Sequence, residues 1–442
     1  MPESAATPYQ LSLLTGVAIV VASMVGTGVF TSLGFQVLGI QSGFALLMLW
    51  AVGGLIALCG ALSYGELAAA MPRSGGEYHY LSQIYHPALG FLSGWVSATV
   101  GFAAPTALAA MALGRYAQSV WPAVSAQWLS VGVVLALTVV HATNKRAGSR
   151  LQVIITTVKV LVLVLFIGVG LAAATPTSLA FAPQAADWRE LLNPAFAVSL
   201  VYVSYAYSGW NAAAYLTGEM ANPQRNLPRI LLLGTALVLL LYVGLNFVFL
   251  YSTPIPKLAG QVEVGFVAAT EIFGTAAGRL MGGVIAVLLV STVSSMIFAG
   301  PRIVQVMGED LPPLRGLGKV SAAGIPVRAT LLQTALTLVF LLTATFEQVL
   351  LYAGFVLSLF TFLTVLGLFV LRWRRPELPR PYRAWGYPLT PLIFLALNGW
   401  TLWFIVQDKP RETSYGVFTL FVGLLVYFVG RRISRRSQVL LP

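Results

Sequence analysis

Two short stretches, Gly26-Thr27-Gly28 and Ser208-Gly209-Trp210-Asn211, interrupt long apolar runs at 12–36 and 195–216. Hydrocarbon cannot satisfy stray N–H and C=O groups, so a backbone break at membrane depth survives only where protein buries it or a cavity meets it. The chemistry available there is that of helix ends. Gly26 and Gly28 lack a Cβ and free the chain to leave helical geometry. A half-helix starting near Gly28 aims unpaired N–H groups and its positive dipole end at the cavity, which suits a carboxylate, and the Thr27 hydroxyl adds a donor. A half-helix ending near Ser23 and Met24 exposes carbonyls that suit an ammonium. One break thus offers complementary ends to a zwitterion. Taken alone, Gly-Thr-Gly reads equally well as a small-residue packing motif between helices.

The second break breaks that tie, because interrupted spans in corresponding places of two halves point to the binding site of a secondary transporter. It supplies carbonyls around Tyr205 and Ser208, and Gly209 permits the distortion. Tyr205, Tyr207 and Trp210 offer aromatic surface to cover a ligand; ordinary packing is the plainer role, above all for Tyr207. Lys159 lies inside the apolar run 151–171. An ammonium at mid-helix costs about 2.5–3.5 kcal/mol on insertion scales, so partners or function must offset it. Its head either snorkels to the nearer interface or stands in for a bound cation. In the second case it would bridge the carbonyls of span 1 to hydroxyls of span 8, where Ser291 and Ser295 share a face and Ser294 is adjacent. A titrating Lys159 would also open a route to proton coupling.

The elements that must position these groups are membrane helices. The chain has 442 residues, 58% hydrophobic and 9% charged, against about 25% charged in soluble proteins. Twelve apolar runs are long enough to cross a bilayer: 12–36, 43–71, 89–120, 126–142, 151–171, 195–216, 230–251, 277–307, 326–344, 348–371, 388–406 and 415–429. No cleavable signal peptide is expected at the start. With the N-terminus placed in the cytoplasm, 19 of the 26 basic residues fall on cytoplasmic loops and the tail, among them Arg73, Lys145, Arg146, Arg150, Arg372, Arg380, Arg435 and Arg436. That bias is a positive-inside signature for a cell-membrane protein with both termini cytoplasmic, and the +12 net charge is its by-product rather than a nucleic-acid footprint. Spans 1–5 (12–171) and 6–10 (195–371) form two halves of opposite orientation, because five is odd. Spans 11 and 12 (388–429) read as an appended pair, scaffold or oligomer contact, with a homodimer as one candidate assembly. The short apolar segment 264–274 reads as a lid over the outer entrance or as an inert surface helix.

Other chemistries are poorly served. Cys59, the single cysteine, sits in an apolar stretch and rules out an internal disulfide. His79, His86 and His141 are scattered, and no metal cluster, nucleophile–base pair or phosphate-cradling loop stands out, so no catalytic residue, metal or cofactor is expected. Glu66 and Glu219 lie near the cytoplasmic ends of spans 2 and 6, away from the breaks, which favours a neutral substrate over a cationic one.

Val17–Ser32 (VAIVVASMVGTGVFTS), Leu62–Tyr80 (LSYGELAAAMPRSGGEYHY), Tyr205–Leu227 (YAYSGWNAAAYLTGEMANPQRNL) and Gly300-Pro301-Arg302 with Met307–Asp310 resemble, in order, stretches of the amino acid–polyamine–organocation superfamily. The third closely resembles the L-type amino acid transporters and their bacterial relatives. The resemblance implies an all-α membrane protein with twelve transmembrane helices in the leucine-transporter fold, a 5+5 inverted repeat with helices 1 and 6 broken. It also implies alternating access and an amino acid substrate; together with the residues above, the expectation is a transporter rather than an enzyme, moving small or medium neutral L-amino acids without sodium, as an exchanger or facilitator. A proton-coupled symporter, a carrier of cationic amino acids or polyamines, and a sensor without flux are the alternatives. Carried over by motif, the substrate carboxylate meets Gly26, Thr27 and Gly28, and its amino group meets the carbonyls of Met24, Tyr205 and Ser208. Lys159 takes the sodium position, and Tyr242 supports the unwound part of helix 1. The loop between spans 3 and 4 has no cysteine, so no disulfide-linked heavy chain is expected. The motif after helix 8 lacks the usual Gly-Leu before Pro312.

Overall fold

The structure, a computed structural model, describes residues 12–73, 75–143, 149–220, 222–310, 314–322 and 324–439. Lys145, Arg146 and Pro312 lie outside the described residues, as do the side chains of Arg150, Glu219, Arg435 and Arg436. The described chain is mostly helical. Its main helices are α1 (Leu13–Met24), α2 (Gly28–Thr31), α3 (Gly43–Ala70), α4 (Gly76–Ile84), α5 (Pro87–Val120, with a π turn at Ser97–Gly101), α6 (Ala126–Thr143) and α7 (Ser149–Ala173). They continue with α8 (Pro194–Tyr207), α9 (Pro223–Ser252), α10 (Val264–Phe273), α11 (Thr275–Asp310), α12 (Val327–Thr343), α13 (Phe346–Arg374), α14 (Leu389–Asp408) and α15 (Pro410–Val439).

Nine stretches among the described residues are long and apolar enough to cross a bilayer. Three further expected spans fall on shorter apolar helices: Thr157–Ala173, Pro194–Tyr207 and Val327–Thr343. Pro194–Tyr207 is short because the helix stops at the second polar stretch: Ser208 turns extended (φ −56°, ψ 147°), and a 3-10 turn continues at Ala212–Glu219. The first span stops likewise at Met24 and resumes at Gly28.

α3 packs along α9, α5 along α11, and α2 against α8. Small residues let α3 approach its neighbours: a Cβ on Gly53 would meet the Val203 side chain at 2.2 Å, and one on Gly60 would meet the Trp210 ring at 2.8 Å. In lipid, where apolar surface gains little by leaving one oily medium for another, such close contact supplies much of the helix association. Side-chain caps fix the helix starts. Ser12 and Ser42 accept from the N–H of Thr15 and Ala45, and Thr345 with Gln348 forms a capping box on α13.

On the side bearing the arginine-rich loops, the basic side, Glu66 of α3 is buried and takes two bonds from Arg372, at 2.8 and 2.6 Å, and a third from the Ala384 N–H. Arg380 approaches the same carboxylate at 3.5 Å. That network ties α3 to the end of α13 and the loop beyond it, which gives Glu66 a structural task far from the breaks. Cys59 is buried in α3.

Candidate functional site

The two helix interruptions meet in space, and one side chain joins them. The Tyr242 hydroxyl, fully buried on α9, lies 2.6 Å from the Met24 carbonyl and 3.2 Å from the Ala206 carbonyl. It donates to one and shares its proton with the other. Both carbonyls belong to last turns whose acceptors have lost their helical partners. At the first break Val25 adopts φ −73°, ψ 83°, close to an inverse γ-turn, and the Gly26 N–H bends back to the Met24 carbonyl at 2.8 Å. The Met24 carbonyl therefore uses both lone pairs inside the protein. An ammonium at that oxygen has to displace Tyr242 or share with it, a competition that motif spacing alone did not reveal.

The three residues of Gly26-Thr27-Gly28 have different surroundings. A Cβ on Gly26 would have only the Met24 carbonyl within 4 Å, at 3.8 Å, so this position borders open space. A Cβ on Gly28 would sit 2.5 Å from the Ala206 Cα, so Gly28 is where α2 presses on α8. Its N–H still starts a helix and has no acceptor one turn back. Thr27 is buried, and its side chain interacts with that of Tyr205. At the second break Gly209 has φ +98°, and a Cβ there would be 2.6 Å from the Ser23 carbonyl. Glycine is required twice over, for the left-handed backbone and for the crossing over the end of α1.

Other expected contacts are placed elsewhere. Trp210 packs edge-on against Tyr64 of α3 at 4.7 Å, beside Phe394 and Gly60. Asn211 donates from Nδ2 to Glu77 on α4 at 2.9 Å, so its amide serves the basic-side end of the interruption. Tyr207 is buried and donates to the Trp50 carbonyl, the packing role. Lys159 is 4% exposed and does not snorkel. Its Nζ donates to Thr292 Oγ1 of α11 at 2.7 Å. The expected hydroxyl partners were Ser291, Ser294 and Ser295; Thr292 is a neighbour that the expectation did not include. Ser294 bonds to His141 Nε2 at 2.7 Å toward α6, and Ser295 donates back to the Ser291 carbonyl at 2.6 Å. One residue is about 100° around the axis, so finding Thr292 as a partner needs the rotation of α11.

On the side opposite the basic loops, Tyr116 of α5 donates to the Phe30 carbonyl at 2.8 Å and accepts from the Gly265 N–H of α10 at 3.0 Å. The Gly260 N–H reaches the Gly34 carbonyl at 2.8 Å. Segment 264–274 is therefore a packed helix with Val264, Gly265, Ala268 and Ala269 buried, rather than an inert surface one. Tyr116, Thr292, Glu77 and the Ala206 carbonyl escaped the sequence reading. Glu77 lies inside the quoted Leu62–Tyr80 stretch but between spans, where a carboxylate passes for a solvated loop residue. A separate cavity of about 160 Å³, lined by His141, Phe298, Arg302, Gln305 and Thr330 among others, opens on the basic side away from the breaks.

The Tyr242 clamp yields a testable expectation. Tyr242→Phe leaves two buried carbonyls short of their donor, at about 1–3 kcal/mol. The melting temperature in detergent should drop by several degrees and uptake should fall with it; an unaltered melting curve would show that the clamp bears no load.

A helical membrane protein with a polar junction between two interrupted helices has the build of a solute carrier. The amino acid permease family model matches residues 11–428, and the chain belongs to that family, within the amino acid–polyamine–organocation superfamily. It is similar to the mouse (Mus musculus) large neutral amino acids transporter small subunit 2, 29% identical over 438 residues that cover 95% of this chain and 81% of the relative. It is also similar to the mouse b(0,+)-type amino acid transporter 1, 27% identical over 96% of this chain and 90% of the relative. The mouse Asc-type amino acid transporter 1 matches at 28% over 97% of this chain and 82% of the relative. The resemblance to L-type transporters holds, and the chain is a multi-pass amino acid transporter, not an enzyme.

Proposed function

We propose that this protein exchanges or facilitates the passage of small to medium neutral L-amino acids across the cell membrane, without sodium, by alternating access. The observation that carries the reading is the junction itself: N–H groups at the start of α2, open space at Gly26, and carbonyls at the ends of α1 and α8 within reach of one hydroxyl. A carboxylate and an ammonium, two to three bonds apart on one carbon, match those opposed helix ends. The substrate-facing set is Met24, Gly26, Thr27, Gly28, Tyr205, Ser208 and Gly209. Trp210 and Asn211 act at the second break from behind it.

Sodium independence rests on Lys159, whose buried ammonium, bonded to the neutral Thr292, supplies a fixed positive charge between α7 and α11. An inverted five-plus-five arrangement accounts for the pairings α2 with α8, α3 with α9 and α5 with α11, each matching a span of the first half to its counterpart five later. Twelve crossings follow from the twelve apolar runs, and cytoplasmic termini from the charge bias of the loops. The mouse relative's name marks it as a small subunit; in this chain the one cysteine is buried, which argues against a disulfide-linked heavy chain.

The test is reconstitution into liposomes loaded with neutral amino acids in sodium-free buffer. Efflux that requires an external neutral amino acid, with no change on adding sodium, is the expected result. Uptake that collapses with a protonophore would replace exchange by proton symport, and ligand-induced thermal shifts without any flux would make the protein a sensor.

A further inference from the structure

Glu77 is an acidic side chain that the transport reading leaves unused, and its surroundings are unusual. It begins α4, between the spans, yet is 6% exposed. Its Oε1 accepts from Tyr64 Oη of α3 at 2.7 Å and from Asn211 Nδ2 at 2.9 Å. Both donors are neutral, and no ion pair joins Glu77 among the described residues. The groups around it give no cation either. Tyr80 on its own helix and Tyr215 in the 3-10 segment face it, and Thr364 of α13 interacts with Tyr64. From α13, Arg374 binds the Ile84 carbonyl at the far end of α4, and Arg372 is committed to Glu66. The adjoining Pro87–Val96 stretch of α5 carries no titratable residue. Arg73 acts on His79 on the exposed side of the turn.

The position matters because Asn211 is the last residue of the second break and caps the Ala212–Glu219 segment. Through Tyr64 and Asn211, Glu77 ties the start of that segment to α3 and α4, so any basic-side opening that separates the three has to break this tie. We propose that the Glu77 carboxyl is a proton-operated tie of the basic-side gate, a positioning residue that holds the gate shut when it carries a proton and lets it part when it is charged. This inference rests on the transport reading above.

The sign follows from solvation. Burial pushes the Glu77 carboxyl up to about 7, opposed only by the bonds from Tyr64 and Asn211. In an opened gate water reaches the carboxyl, and its pKa returns toward the ordinary value near 4.3. A group whose affinity for protons is higher in the closed form stabilises that form at low pH and loses the contribution as pH rises through the closed-state value. The closed-to-open ratio should thus fall roughly tenfold per pH unit between about 5 and 7 and level off above that. Acidification of the basic side closes the gate.

The test uses the full chain in liposomes, with neutral amino acid flux followed from about pH 5 to 8. Wild type should accelerate at least tenfold across that range. Glu77→Gln keeps an oxygen acceptor for Tyr64 and Asn211 and is permanently neutral, so it should give a flat profile at the slow, acid-side rate. A Glu77→Gln profile that still follows wild type overturns the proposal. A second readout needs no flux: in a Cys59→Ala background, maleimide labelling of Ala212→Cys is compared with and without Glu77→Gln at each pH, which cancels the thiol's own titration. The ratio should diverge above about pH 6; a constant ratio sinks the tie. Absence of flux under every condition, with the labelling ratio still diverging, would instead count against the transport reading.

Discussion

A Lys159→Ala protein inserts, melts at or above the wild-type temperature, and loses exchange by one to two orders of magnitude. The insertion step becomes easier, since a mid-helix ammonium costs about 2.5–3.5 kcal/mol that alanine does not. What is lost is the charge-assisted bond from Lys159 Nζ to Thr292 Oγ1 and the fixed positive charge between α7 and α11. Such a bond contributes about 1.5–3 kcal/mol, which at 1.4 kcal/mol per decade is roughly a ten- to hundredfold effect on whichever conformational step relies on it. Thr292→Val should reproduce part of the loss while leaving the ammonium unpaired, and unlike Lys159→Ala it should destabilise the protein. Proteoliposome counterflow and a melting curve on the two variants check the pair. Wild-type exchange in Lys159→Ala would remove the basis for calling the lysine a stand-in for a cation.

Gly26→Val abolishes substrate binding with little change in fold, and its neighbour Gly28→Ala does the opposite. At Gly26 an added Cβ meets only the Met24 carbonyl, at 3.8 Å, so the new side chain occupies open space at the junction. There it blocks approach to the α2 N–H groups, and the loss of two charge-assisted bonds weakens binding by at least about a hundredfold. At Gly28 the Cβ would fall 2.5 Å from the Ala206 Cα. Overpacking of a close helix contact costs about 1–3 kcal/mol, visible as a lowered melting temperature before any effect on affinity. A thermal-shift screen of neutral amino acids against both variants separates the roles. If Gly26→Val kept its ligand response, the zwitterion site would have to lie elsewhere.

How much of this was legible beforehand follows from what each signal depends on. Apolar run length, the arginine bias and the two interruptions depend on the local chain and its solvent, so they are readable along the sequence: α1 stops at Met24 and α8 at Tyr207, each within a residue or two of its polar stretch. Lys159 stood out for the same reason, because a charge inside an apolar run is conspicuous without any neighbours. Directions around a helix axis are different. Thr292 rather than Ser294 meets Lys159, Trp210 faces Tyr64, and Asn211 reaches Glu77, because a rotation of one helix by a single residue's angle exchanges such partners. Gly26 and Gly28 have the same side chain and almost the same position, yet one borders open space and the other seats α2 on α8; only the packing of two helices from different halves separates them. The sequence by itself determined a membrane-spanning bundle with two helix breaks, since hydrocarbon forbids idle polar backbone. Tertiary structure decided which atoms those breaks expose and which they spend on each other, since a hydrogen bond is set by ångströms and angles across helices that no linear pattern encodes.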